Sequence, residues 1–359
     1  MTTTSAPKEC DVQRMFLGAI APMFRVSAAV VCAVCAANVA DAHHSRALYD
    51  MTTEVVIEGT VAKVAWMNPH IALSVATKAK DGAPLLQEIE VMSVSEARAM
   101  GLRREALVEG SHVVVRAHPG RGGPGVRAVG LDVKTSDGTV MPLNTDAGFA
   151  VAPLTTAEAQ GIAGHWAPSV ADFRAAFQAM RNWPFTEAGR AGLAAANNQP
   201  SATLGICADY PPPALAVFPD LREIAVHDST VVMRFEAQGQ NVERVVHLDQ
   251  TSHAPDVRPS LVGHSIGRWE GQSLVVDTVA FEPHAAGIMI GVPSGPRKHL
   301  VERLTLAADR HHLRYEVTLE DPAGLTAPAS FSVQWEYRPD LEPSGVACDP
   351  DSARKLLQR

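Results

Sequence analysis

The sequence predicts an all-β protein built as a small barrel followed by a larger antiparallel meander barrel, with a short helical insertion. Three observations predict it. Apolar and polar residues alternate with period two along many short segments. Those segments are joined by short connections such as Ala237-Gln238-Gly239-Gln240 and Asp309-Arg310-His311. A stretch rich in small residues and threonine, at 142–160, divides them into two groups.

Taken in order, the chain first shows an apolar run at 26–37 and then Ala40-Asp41-Ala42, whose small first and third residues suit a signal peptidase. Residues 1–42 are therefore expected to be a signal peptide, for which Met15 or Met23 would be a more ordinary start. The run is shorter than the roughly 20 apolar residues needed to cross a bilayer, so no transmembrane anchor is expected. Cys32 and Cys35 each follow a valine, which argues against lipid attachment. The expected location is periplasmic or secreted. Cys10, Cys32 and Cys35 precede the cut, leaving Cys207 and Cys348, which an oxidising compartment would pair. Net charge is −8 and no lysine or arginine cluster occurs, which argues against nucleic acid as a partner.

Residues 43–141 form the first expected domain. From Glu54 onward Val55, Ile57, Gly59 and Val61 share one strand face, and further strands are expected at 70–78, 85–92, 112–118 and 126–135. Residues 93–101, with Glu96, Arg98 and a closing glycine, read as one helix. Five strands with one helix suit an OB-like barrel, of the oligonucleotide/oligosaccharide-binding type. The glycine-rich 119–125 stretch lacks the strand-to-helix context of a phosphate loop and reads as a hairpin loop.

After the linker at 142–160, the second domain is expected over 161–348, with a tail at 349–359. Two amphipathic helices are predicted at 170–181 and 186–196, then a proline-rich loop holding Cys207 and Pro211-Pro212-Pro213. Strands follow at 223–226, 230–237, 242–248, 273–281, 300–308, 313–320 and 331–337. Gly164-His165-Trp166, opening this meander, is similar to the Gly-x-Trp start of lipocalins, so a lipocalin-like barrel of about eight strands is expected. Such a barrel holds one small ligand or a filled core, and periodicity leaves both open. Trp166, Trp269 and Trp335 are expected as core anchors.

The motifs Ala42-His43-His44-Ser45, Glu58-Gly59-Thr60-Val61 and Trp66-Met67-Asn68-Pro69-His70 resemble the opening of a family of exported bacterial proteins of unknown function. Pro184-Phe185-Thr186, the stretch Gly263-His264-Ser265-Ile266-Gly267-Arg268-Trp269-Glu270-Gly271, Leu274-Val275-Val276-Asp277-Thr278 and His299-Leu300-Val301-Glu302-Arg303 resemble a second recurring bacterial segment, also without an assigned activity. The resemblance implies architecture and export and supplies no reaction. The chain departs from the pattern at Gln250, where a glycine is usual, and around 292–295, where a histidine-containing loop is more typical.

Several side chains are candidates for chemistry. A cut after Ala42 would leave His43 with a free amine beside its imidazole. With His44 or His70 this donor set suits copper(II) or another divalent transition metal, and His112 and His118 are further candidates. In the second domain Leu300, Glu302, Leu304 and Leu306 share one face, so Glu302 should point inward and need a partner, for which Arg244 is the natural choice. Asp277, in period with Val275, Val279 and Phe281, is expected to face inward too. Glu302, Asp277 and His264 are the candidate acid, base or orienter, with Arg244, His247 and His299 as ligand contacts. The competing expectation is a buried structural network of the charged groups. Ser265 beside His264 is no nucleophile pair, because adjacent strand residues face opposite ways.

The expected function is an exported binding protein for a small, largely apolar molecule held in the second barrel, with metal capture at the mature amino terminus. The alternative is an enzyme performing acid/base chemistry (hydration, isomerisation or hydrolysis) on a lipophilic substrate. A structural envelope protein is the third reading.

Overall fold

A computed structural model describes residues 48–123, 125–145, 155–198, 207–237 and 239–351. These belong to one compact unit. The expected signal peptide, His43 and His44, residues 146–154 of the linker and residues 352–359 of the tail lie outside the described residues. Among the described residues no helix is long and apolar enough to cross a membrane.

The first barrel comprises β1 (Val55–Ala65), β2 (Ala72–Lys78), β3 (Pro84–Glu90), β4 (His112–His118) and β5 (Ala128–Thr135). β1 pairs antiparallel with β2 and β4, β2 with β3, and β4 with β5, while a short parallel pairing of β3 with β5 closes the ring. A sixth strand, β6 (Val140–Pro142), extends β5 at the start of the expected linker. Val61, Leu73, Val75, Ile89, Val113, Val115 and Val133 fill the interior. An α-helix, α1 (Val94–Ala99), sits between β3 and β4, followed by one 3-10 turn at Arg104–Ala106, and completes the OB-like arrangement. Its start is fixed by a capping box: the Ser93 hydroxyl accepts from Glu96 N and the Glu96 carboxylate accepts from Ser93 N.

Gly59 has a packing reason to be glycine. A Cβ there would stand 2.2 Å from the Ala76 carbonyl oxygen on the paired strand β2. Gly59→Ala is expected to cost about 1–3 kcal/mol, as overpacking does. A lowered thermal midpoint would show it; an unchanged one would mean that the strands separate freely there.

The second domain contains β7 (Gly164–Pro168), α2 (Val170–Arg181), α3 (Glu187–Asn198), α4 (Ala214–Val217), β8 (Arg222–Val226), β9 (Thr230–Ala237), β10 (Gln240–His247), β11 (His264–Glu270) and β12 (Ser273–Val279). There follow β13 (His284–Met289), β14 (Val292–Ser294), β15 (His299–Leu306), β16 (His312–Glu320) and β17 (Ala329–Tyr337). β13 and β14 form a separate hairpin, and the other strands close as β7-β8-β9-β10-β11-β12-β15-β16-β17. The barrel thus has nine strands rather than about eight. A closed ring with every neighbour antiparallel needs an even number, so nine strands require a parallel neighbour pair. That pair is β10 and β11, which overlap only at Val246↔Ser265 and His247↔Ile266. Within this ring the strands absent from the sequence prediction are β7 and β11, read there only as glycine-tryptophan motifs because neither shows a clean apolar alternation; β6 and the β13–β14 hairpin outside it were not predicted either.

The lumen is filled. Leu274, Val276, Leu300, Leu304, Leu313, Val317, Leu319 and Val333 are buried, and Tyr315 stacks on Trp335 with centroids 4.6 Å apart. Residues 210–222, expected as a loop, are buried throughout. A buried loop must find partners for its backbone carbonyls. Trp335 Nε1 donates to Ala216 O at 3.0 Å, Arg222 Nη2 to Phe218 O at 2.6 Å, and Lys298 Nζ to Pro212 O. This segment packs against inward-facing Trp335, over whose ring its last residue, Arg222, lies 4.6 Å from the centroid. Burial pushes the Lys298 ammonium down to about 7 and the Arg222 guanidinium down to about 9.

The two barrels are clamped together. Asn68 donates to Val346 O at 2.6 Å and accepts from Val94 N at 2.9 Å, and Asp349 N donates to Asn68 O. Ser93 Oγ donates to Asp220, and Leu221 N to Ser95 Oγ. A disulfide joins Cys207 to Cys348, 141 positions apart, with Cα atoms 5.8 Å from each other. The β1–β2 loop and α1 of the small barrel therefore form the bed on which the second barrel's carboxy-terminal segment lies.

Candidate functional site

The predicted site residues separate onto the two faces of the second barrel's wall. Ser265, Thr278 and Glu302 point into the lumen, whereas His264, Asp277 and His299, an odd number of positions away on the same strands, point out. Asp277 does not face inward as expected. Glu302 consequently cannot work with Asp277 and His264 on one substrate.

Inside, Arg244 and Glu302 are each 1 % exposed and paired. Arg244 Nη1 donates to Glu302 Oε1 at 2.8 Å, Nη2 to Oε2, and Nε to Ser265 Oγ at 2.9 Å. Nη2 also reaches Thr278 Oγ1, and the Tyr315 hydroxyl donates to Glu302. Burial works against the Arg244 charge, but the Glu302 carboxylate outweighs it and holds the guanidinium above its ordinary range. Tyr315 is pushed well up by burial and by Glu302. Such a saturated network offers Glu302 no proton to trade and fixes strand register.

Outside, four imidazoles meet one carboxylate. His253 Nε2 lies 3.0 Å from Asp277 Oδ1, His299 Nε2 lies 3.1 Å from Asp277 Oδ2, and His253 Nδ1 lies 2.8 Å from His264 Nδ1. A carboxylate only accepts, so both Nε2 atoms donate to it. The contact of the two Nδ1 atoms places one proton between the His253 and His264 rings, one ring donating there and the other accepting. The His247 ring stacks 5.3 Å from His264. Burial, then the neighbouring His253 and His247, push His264 below its ordinary value. Burial raises Asp277, but hydrogen bonds from His253 and His299 outweigh it and hold the carboxyl low. The ensemble is a chain of hydrogen-bonded imidazoles on a fixed carboxylate, chemically able to take a proton or a metal ion.

His253 escaped the sequence reading. It lies in the 248–263 connection between β10 and β11, among Thr251, Ser252 and Pro255, where no strand period marks it. The short parallel overlap of β10 and β11 brings that connection back over the outer wall. A histidine in a turn-rich loop was the only signal.

A third feature lies between the barrels. A cleft of about 670 Å³ has Trp66, Val94, Leu102, Leu341, Pro343 and Val346 as its apolar lining. Arg98, Arg103, Arg104 and Arg338 also line it, with Glu105 and Asp340 as the acidic groups. Arg338 is bound to Asp340 by two hydrogen bonds of 2.9 Å and to Ala99 O, and Arg98 Nη1 donates to Glu342 O. Arg103 and Arg104 are exposed.

The remaining candidates do not converge. His70 Nδ1 donates to Val91 O at 3.0 Å, with Nε2 3.9 Å from Glu90, and its expected companions His43 and His44 lie outside the described residues. His112 pairs with Glu58 on the surface, while buried His118 donates to Thr53 O from the other end of β4. Among the described residues no group of three or more His, Cys, Asp or Glu is arranged to hold one metal ion. Trp166 and Trp335 are core anchors, but Trp269 is 44 % exposed near the β11–β12 turn.

Fold and site together define a two-barrel all-β protein with a filled larger barrel and a histidine-rich outer wall. Residues 30–129 match the family described as Family of unknown function (DUF6152). That match covers much of the small barrel and less than a third of the chain, and no curated protein matches.

Proposed function

We propose that this chain is an exported binding protein for a small, largely apolar molecule carrying one anionic group, held in the cleft between the barrels. The cleft itself carries the reading: its volume suits a small ligand, apolar side chains such as Trp66, Leu102 and Leu341 share its lining with polar ones, and arginines outnumber carboxylates along it. A guanidinium fork binds a carboxylate through two parallel hydrogen bonds, and Arg103 and Arg104 stand exposed beside the apolar lining. The filled lumen of the larger barrel argues for this location over the one expected from the strand pattern. Export is supported by the Cys207–Cys348 pairing, since disulfides persist in oxidising compartments.

Calorimetric titration with octanoate, octanol and octylamine tests the proposal. Octanoate is expected to bind, and the double variant Arg103→Glu/Arg104→Glu to weaken it by roughly tenfold or more, a change worth about 1.4 kcal/mol. Equal affinity for the alcohol and the acid, or no change in the double variant, would refute it.

A further inference from the structure

We infer that His253 and His264 form a bidentate site for a divalent transition metal, copper(II) foremost, with Asp277 orienting one ligand from behind. The inference stands apart from the cleft and from the amino-terminal histidines. It begins with a distance: the two Nδ1 atoms are 2.8 Å apart. With metal–nitrogen bonds of about 2.0 Å, that separation subtends about 89° at the metal. A tetrahedral centre would hold the nitrogens about 3.3 Å apart, so the spacing suits neighbouring corners of a square-planar or tetragonal ion. Among first-row divalent ions copper(II) prefers that geometry and binds nitrogen donors most tightly.

The surroundings agree with this. Binding displaces the single proton that lies between the two Nδ1 atoms, which passes to His264 Nε2 or to solvent, and needs a tilt of each ring so that the freed lone pairs converge. His253 rides on the 248–263 connection rather than on a strand, which leaves it room to tilt. Its Nε2 donates to Asp277 Oδ1, the carboxylate–histidine–metal arrangement that fixes a ligand's tautomer and raises its basicity. His299 holds the other carboxylate oxygen and so fixes the carboxylate. The described residues supply two nitrogens to one point, and water completes the coordination shell.

The test is a copper(II) titration of the full chain carrying His43→Ala and His44→Ala, which removes the other expected chelate. One equivalent is expected to give a tetragonal electron paramagnetic resonance spectrum with coupling to two imidazole nitrogens. His253→Gln or His264→Gln should remove that two-nitrogen signal, while Asp277→Asn weakens binding by roughly 10- to 100-fold. Coupling to fewer than two imidazoles in the starting protein would overturn the inference whatever the variants do. So would an unchanged spectrum in both glutamine variants.

Discussion

Alanine at Glu302 is expected to destabilise the protein by about 3–5 kcal/mol, the range found when one partner is removed from a buried ion pair. The loss arises from what remains behind. Arg244 would keep its charge in a lumen where it is 1 % exposed, with only Ser265 and Thr278 hydroxyls left to it, and the Tyr315 hydroxyl would lose its acceptor. Chemical denaturation of the variant should show a lower midpoint. Replacing both partners, as Glu302→Met with Arg244→Met, should restore most of the loss, because paired apolar groups of similar volume satisfy the same space. A single variant within about 1 kcal/mol of the starting protein would show that water reaches the pair.

Opening the Cys207–Cys348 bridge is the second large effect. Closing a loop of 141 positions restricts the unfolded chain by about 5 kcal/mol in the chain-entropy account. Cys348→Ser, or reduction with dithiothreitol, should lower the denaturation midpoint accordingly. The effect has a local part as well. Cys348 N donates to Gly239 O, and the neighbouring Asp349 N donates to Asn68 O, so the bridge anchors the segment that clamps the small barrel. Hydrogen exchange should therefore quicken at Val94 N, bonded to Asn68 Oδ1, more than at the β15–β16 ladder. Uniform acceleration across both barrels would contradict that anchoring.

Much of the fold was legible because burial on one side of a strand imposes a period of two. β4 was predicted with its observed ends, α1 through its capping residues, and the disulfide partners by elimination within the chain. Illegible strands were those whose side chains do not alternate: β7 carries glycine and proline around Trp166, and β11 mixes histidine, glycine and arginine with Ile266 and Trp269. Of the site, Asp277, His264, His247 and His299 were singled out as residue types, and they do gather. Their side of the wall was misjudged at Asp277 because both faces of β12 carry apolar residues, with Val275 and Val276 both buried, so period two gave no contrast there.

By itself the sequence determined that this chain is all-β, that it divides into a small and a large barrel, and that Glu302 needs a buried cation. Those features follow from local alternation, turn residues and the cost of an unpaired charge, all of which act over a few neighbours. Only the tertiary structure decided that nine strands close the ring, that the buried 210–222 segment packs against inward-facing Trp335, and that His253 joins His264 and Asp277. Each of these depends on long-range closure: an odd strand count forces one parallel pair, and where the chain goes to make that pair is invisible to any window of sequence.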